Sequence, residues 1–311
     1  MTRSIILDCD PGHDDALAIL LAAGDPRAEL LAVTTVAGNQ TVEKVTRNAR
    51  AVCTVAGVEG VTVAQGASRP LVREAIIAPE YHGDSGLDGP ELPEPTVPLD
   101  PRRAAELIVQ VVMDREPGTV DLVPTGPLTN IALALALEPR LADRVRGVTL
   151  MGGSYTRGNR TPAAEFNIMA DPEAAAAVFA APWPVTMVGL DLTHQALADE
   201  AFRGRVRALG TPLAGFVEEL LEFFTAAYAR RGFAAPAVHD LCAVAAVLDP
   251  DVMTYRDAFV TVELTGTWTT GMTVTDFEGL LGQPVNTRVA VSLDRERLWD
   301  MAVAAIERLG R

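Results

Sequence analysis

With 311 residues, 49% of them hydrophobic and 22% charged, the chain can bury a sizeable core and is not a disordered segment. Its formal charge of −15 and its single lysine, Lys44, argue against a nucleic-acid partner, because such binding rests on cations that neutralise phosphates. No apolar run is long enough to span a bilayer, which predicts no membrane partner. The opening residues MTRSIILDCD read as leading into a strand rather than as an apolar leader, and Cys9, Cys53 and Cys242 are an odd count with no metal spacing, so a reducing cytoplasm is the expected compartment.

In chain order, residues 4–7 read as a buried strand and 16–23 as a tightly packed helix. Residues 30–36 form a β-branched strand, 42–56 a helix and 61–64 a short strand. Residues 66–98, rich in Gly, Pro and charge, read as a long loop that is functional or carries short elements of its own. A helix over 104–115, a strand over 120–123, a helix over 128–137 and a strand over 148–151 follow, then a Gly-rich loop over 152–161. Asp171 and Pro172 open an Ala-rich helix as N-cap and first-turn residue. Another strand covers 185–190, and two helices lie near 199–209 and 213–230. His239 and Asp240 start a further helix, where Asp caps well. The last seventy residues alternate as VTVEL and TRVAVSL, predicting antiparallel strands before a closing helix over 295–309. Repeated βα units predict an α/β fold: an open, mostly parallel sheet with helices on both faces and a small antiparallel part near the C-terminus. No linker divides the chain, so one domain over 1–311 is expected.

Chemistry concentrates in IILDCDPGHDDALAI, where Asp8, Asp10, Asp14 and Asp15 crowd into eight residues between the first strand and its helix. Like charges this close repel unless a cation or protons stand among them. Hard oxygen donors point to Ca²⁺ or Mg²⁺ rather than zinc. Capping explains a carboxylate or two at a helix N-terminus, but not four. Ligands of open sheets bind beyond the carboxyl ends of the strands. The polar residues there include Asn39, Thr125, the stretch from Gly152 to Asn167, and Asp191.

Together with DCDPGHDDA, the segments AVTTVAGN, YHGDSGL, LVPTGPLTNIALAL, VTLMGGSY, AEFNIMADPEAA, VTMVGLDLTHQ and AVHDLCAVA resemble, in order, the inosine–uridine-preferring ribonucleoside hydrolases. The resemblance covers essentially the whole chain. It implies a single α/β domain, a bound Ca²⁺, and hydrolysis of the N-glycosidic bond of ribonucleosides in purine and pyrimidine salvage. It also implies a homo-oligomer, tetramer or dimer. Carried over, Asp10, Asp15, Asp240 and the Thr125 carbonyl ligate calcium, and Asp10 is also the general base. Asp14, Asn39, Asn159, Glu165 and Asn167 bind the ribose hydroxyls. Met151 packs near the sugar, with Phe166 and His82 along the ribose–base pocket. His239 serves the leaving base, as an acid of ordinary pKa near ~6.5, and Tyr228 belongs to a flap over that base. Asp8 matches the motif as a supporting residue, while His13 and His194 receive no role.

One segment departs from the family pattern. In FFTAAYARRGFAAPAVHD, Phe224 stands where a second tyrosine is expected and the stretch before His239 is a residue shorter, which leaves base preference open. A family member narrowed to purines or pyrimidines is therefore one alternative. A DxD phosphatase is another, although Lys44 lies far from any strand end. A non-catalytic nucleoside-binding protein is the third, although Asp10, Asp15 and Asp240 are all present.

Overall fold

The computed structural model describes residues 2–311. Ten strands form one sheet: β1 (Arg3–Cys9), β2 (Ala28–Thr35), β3 (Thr62–Gln65), β4 (Leu99–Asp100), β5 (Val120–Pro124), β6 (Gly147–Met151), β7 (Val185–Val188), β8 (Met253–Val262), β9 (Thr273–Asp276) and β10 (Thr287–Leu293). Their spatial order is β4-β3-β2-β1-β5-β6-β7-β10-β8-β9. Pairing is parallel from β4 through β7 to β10, and antiparallel only at β10–β8 and β8–β9. The expected mixed α/β sheet, with its antiparallel part at the C-terminal end of the chain, is what forms.

A parallel sheet must be covered on both faces, so its central strands are apolar throughout. In β1, Ile5, Leu7 and Cys9 face one core and Ile6 the other, following the period of two. The first core takes helices His13–Gly24, Val42–Val55, Pro212–Ala229, His239–Leu248 and Arg295–Leu309. The second takes helices Ala104–Met113, Thr129–Leu137 and Pro172–Ala180. The first helix, His13–Gly24, is buried almost all round, which explains why HDDALAILLAAG has no polar stripe beyond its first turn. The strand order reverses at β1, whose neighbours are β2 on one side and β5 on the other. Crossovers diverge there, leaving a crevice at the carboxyl ends of β1 and β5.

Some boundaries differ from the sequence reading. The long loop carries a short helix, Pro79–His82, and β4 follows it as a two-residue edge strand too brief to leave a periodic signal. The strand expected over 185–190 stops at Val188, because Gly189 caps a helical turn, Leu190–Thr193. Asp171 caps its helix as expected, accepting from the Ala174 amide at 3.1 Å. Asp240 does not cap: Val238 occupies that position, so the Asp240 carboxylate in the first turn stays available to the crevice.

Candidate active site

Two helix N-termini, those of His13–Gly24 and His239–Leu248, converge on the crevice and bring their acids with them. Carboxylate oxygens of Asp14, Asp15 and Asp240 lie within 4.8 Å of one another, all buried. The positive ends of both helices and their free amides favour this placement. The His239 amide donates to Asp14 Oδ2 at 3.3 Å. The Gly12 amide donates to Asp15 Oδ2 at 2.9 Å, and the Thr125 hydroxyl to Asp15 Oδ1 at 2.9 Å.

Asp10 stands just outside this trio. Its Oδ2 accepts from the Asn39 amide at 2.6 Å, while its buried Oδ1 has no hydrogen-bond partner among the described residues. The Asn39 side chain ties the pieces together by donating to the Asp10 carbonyl at 3.1 Å and to Asp15 Oδ2 at 3.2 Å. Burial is the first cause that raises all four acids. Asp14 reaches about 7, with Asp15 adding to the rise, and Asp15 about 6. Asp10 and Asp240 go well above the usual carboxylate range, helped by Asp15 and Asp14 respectively. Without a cation the cluster therefore holds protons, and a divalent ion would take their place. The donor set, all hard oxygen with one buried oxygen unpaired, suits such an ion.

Asp8 faces away from the crevice. Its Oδ1 accepts from Thr34 Oγ1 at 2.6 Å and from Asn130 Nδ2 at 2.8 Å, which fits a supporting place on the strand. Burial lifts its carboxyl to about 7.

Above the acids lies a cleft of about 240 Å³. It gathers the sequence-selected residues Asp14, Asn39, His82, Thr125, Met151, Asn159, Glu165, Phe166, Asn167, Tyr228, His239 and Asp240 into one lining. Asp10 and Asp15 sit beneath it. Asn167 Nδ2 donates to the carbonyls of Thr125 (2.8 Å) and Met151 (3.1 Å), which leaves Asn167 Oδ1 free. Glu165 caps the helix Phe166–Ala170, accepting from the amides of Asn167, Ile168 and Gly153 at 2.8–3.1 Å. Asn159 Oδ1 accepts from the Phe166 amide at 2.9 Å, so its Nδ2 remains to donate.

His239 differs from the expectation of an ordinary imidazole. It is buried between Thr193 Oγ1, 2.7 Å from Nδ1, and the Tyr228 hydroxyl, 3.0 Å from Nε2. Burial pushes its pKa down to about 3, so the ring is neutral at pH 7. Any proton it passes must travel along this hydroxyl–imidazole–hydroxyl line rather than leave a standing imidazolium. Phe224 packs edge-on against Tyr228, with centroids 4.9 Å apart.

Sequence reasoning singled out neither Tyr81, Arg160 nor Phe233, gave His194 no role and weighed Arg231 mainly as a solvated charge, yet all five line the cleft. The Arg231 guanidinium lies 3.9 Å over the Tyr81 ring and bonds its hydroxyl, although a helix-end arginine reads as a solvated charge. His194 packs edge-on against His239 at 5.5 Å. The adjacency of Tyr81 to His82 was the available signal. Cys9 and Cys242, beside the acids in sequence, are buried free thiols that serve as packing residues.

An acidic floor able to hold a cation, under an aromatic-walled cleft at the switch point of a parallel sheet, defines an enzyme site for a small polar molecule. The chain belongs to the inosine-uridine preferring nucleoside hydrolase family, whose model matches residues 5–300. It is 54% identical to an inosine-uridine preferring nucleoside hydrolase of Crithidia fasciculata, covering all of this chain and 99% of that one. It is 47% identical to a pyrimidine-specific ribonucleoside hydrolase of Shewanella woodyi, over the whole of both chains. Among solved structures, a purine-preferring ribonucleoside hydrolase from Gardnerella vaginalis superposes with a TM-score of 0.92 at 33% identity, over 99% of each chain.

Proposed function

We propose that this chain is a single-domain, calcium-dependent ribonucleoside hydrolase that cleaves the N-glycosidic bond of inosine and uridine to ribose and free base. The observation that carries the reading is the carboxylate trio beside an aspartate with one oxygen fixed and the other free. Family membership supports the reaction class.

Asp10, Asp15, Asp240 and the Thr125 carbonyl would hold the ion, with Asp14 within reach of it. When bound, a calcium ion supplies the positive charge against which these carboxylates ionise and which makes water easier to deprotonate. Asp10 is the general base: Asn39 fixes Oδ2 and aims Oδ1, which takes the proton of the attacking water. Asp14 and Asn167 Oδ1 accept from ribose hydroxyls, and Asn39 and Asn159 bind them beside the lone pair left on Glu165. These contacts hold the sugar as it gains oxocarbenium character. Phe166, Tyr81 and Tyr228 wall the base, and Met151 lies under the sugar. The Tyr228 hydroxyl, held by His239 with Thr193 behind it, gives its proton to the departing base; the proton that Asp10 takes from water returns to solvent, from which Tyr228 is re-protonated. A purine offers a ring nitrogen for the Tyr228 proton, whereas a pyrimidine has no equivalent atom.

The buried free thiols and the sequence pattern support a cytoplasmic enzyme of nucleoside salvage, and the resemblance supports a homo-oligomer. No helix among the described residues is long and apolar enough to cross a membrane. Reducing-sugar release from inosine, uridine and deoxyinosine tests the proposal. Ribose should appear from the first two, and deoxyinosine should react at least ~10³-fold more slowly, because its missing hydroxyl leaves buried polar groups unpaired. Equal turnover of inosine and deoxyinosine would overturn the ribose assignment.

A further inference from the structure

In the opening motif, Gly12 touches the acidic floor only through its amide, which donates to Asp15, and the His13 side chain takes no part in it. These two residues build a seat for His82. A Cβ on Gly12 would overlap the His82 ring, so glycine lets that imidazole lie against the strand-to-helix turn. His13 is fully buried, stacked with Phe223 (centroids 5.2 Å, planes 3° apart) and Phe224 (5.1 Å, 11°). Both of its ring nitrogens are engaged. Nε2 lies 2.8 Å from the Asp88 carbonyl oxygen, and Nδ1 lies 3.0 Å from His82 Nδ1. Asp88 is itself well held: its amide donates to the His82 carbonyl at 3.2 Å, and its carboxylate accepts from the amides of Asp84 and Ser85 at 3.0 Å. His82 lines the cleft, and its Nε2 has no hydrogen-bond partner among the described residues.

These contacts determine where the hydrogens lie. A carbonyl only accepts, so His13 Nε2 carries a hydrogen. A neutral imidazole has one N–H, which leaves His13 Nδ1 bare. The hydrogen between the two rings then belongs to His82 Nδ1, and His82 Nε2 is bare in turn. The reverse placement would strip the hydrogen from the 2.8 Å contact to Asp88 or require a cationic His13 among phenyl rings. Full burial between the Phe223 and Phe224 rings opposes that cation. The His13 amide also points at His82 Nδ1, at 3.3 Å; it is the longest of the three contacts and the one this arrangement gives up.

We propose that His13 is a positioning residue: anchored on the Asp88 carbonyl, it accepts the Nδ1 hydrogen of His82 and so presents His82 Nε2 to the cleft as a bare acceptor. The inference rests on the cleft being a ribonucleoside site, where such an acceptor selects a substrate hydroxyl or ring N–H. It makes the tautomer of a cleft residue depend on a residue that never touches substrate.

The chain has four histidines, so ¹⁵N NMR of the histidine-labelled full-length protein reads the assignment directly. At neutral pH without substrate, His82 should show a protonated Nδ1 and a bare Nε2, and His13 the reverse. His13→Phe keeps a ring beside Phe223 and Phe224 but removes both nitrogens. His82 should then shift its hydrogen to Nε2, and KM for inosine and uridine should rise about tenfold with kcat within about twofold. His13→Gln, whose amide offers both an acceptor and a donor, should restore most of the KM. A hydrogen on His82 Nε2 in the wild-type protein overturns the proposal, as does a His13→Phe enzyme with unchanged His82 tautomer and KM. The wild-type NMR result needs no substrate, so its failure is distinct from failure of the ribonucleoside reading.

Discussion

Tyr228, His239 and Thr193 form one line of hydrogen bonds, so their substitutions should not act independently. His239→Ala and Tyr228→Phe should each lower kcat for inosine by about 10²-fold, the scale of a lost proton donor. The double variant should be little worse than either single one, as expected of groups acting as a unit. Uridine should suffer less, because its base has no free acceptor nitrogen equivalent to that of the purine imidazole ring. Multiplicative losses in the double variant, or equal losses for both substrates, would remove this line from leaving-group chemistry. The residues of the site as a whole were unequally legible from sequence. Asp10, Asp15 and His239 stand out as charge or imidazole where a fold expects apolar residues. Thr193, Tyr81 and Arg231 carry no such contrast, and only the folded chain shows that the first touches His239 and the other two close the cleft. The neutrality of His239 was also invisible, since burial sets it and no spacing records burial.

Between strands and helices, geometry depends on small residues at the crevice. Gly38, in the AGN turn after β2, approaches Asp10 so closely that a Cβ there would overlap Asp10 Oδ2. Gly38→Ala must move either the Asn39 amide or the Asp10 carboxylate, and those two set the geometry of the proposed base. We expect kcat/KM to fall at least ~10²-fold, as a small misplacement of reacting groups allows, with far-UV circular dichroism unchanged. Activity near wild type would show that Asp10 needs no such close support. Regular elements were readable because their periods are strong: the closing helix Arg295–Leu309 coincides with its sequence prediction, and β1 and its helix differ only at their ends. What escaped were β4 and β9, two and four residues long, which exist by pairing with neighbours rather than by any pattern of their own.

For the whole molecule, the buried acids couple stability to pH and to the cation. Asp8, Asp14 and Asp15 have folded pKa values of about 7, 7 and 6, all raised from 3.8. A raised value means that the group favours the fold fully below its unfolded pKa and loses that contribution as pH rises through 6 to 7. The cation-free protein should therefore melt at a higher temperature at pH 5 than at pH 8, the loss accruing up to pH 6 to 7 and levelling off above it. Excess calcium should restore most of the loss at pH 8, because a ligand that binds only the folded state stabilises it. A metal-free melting temperature that rises from pH 5 to pH 8 would contradict the protonated cluster. The sheet topology gives this coupling its place: strand order reverses at β1, and the acids stand at that reversal.

The most direct test of the account is ribose release from inosine by chelator-stripped wild-type and Asp10→Asn protein, titrated with Ca²⁺. The wild type should be inactive when stripped and regain full turnover at one ion per chain, while Asp10→Asn stays several orders of magnitude slower at every concentration. Full activity in the stripped wild type, or near wild-type turnover by Asp10→Asn, would contradict it.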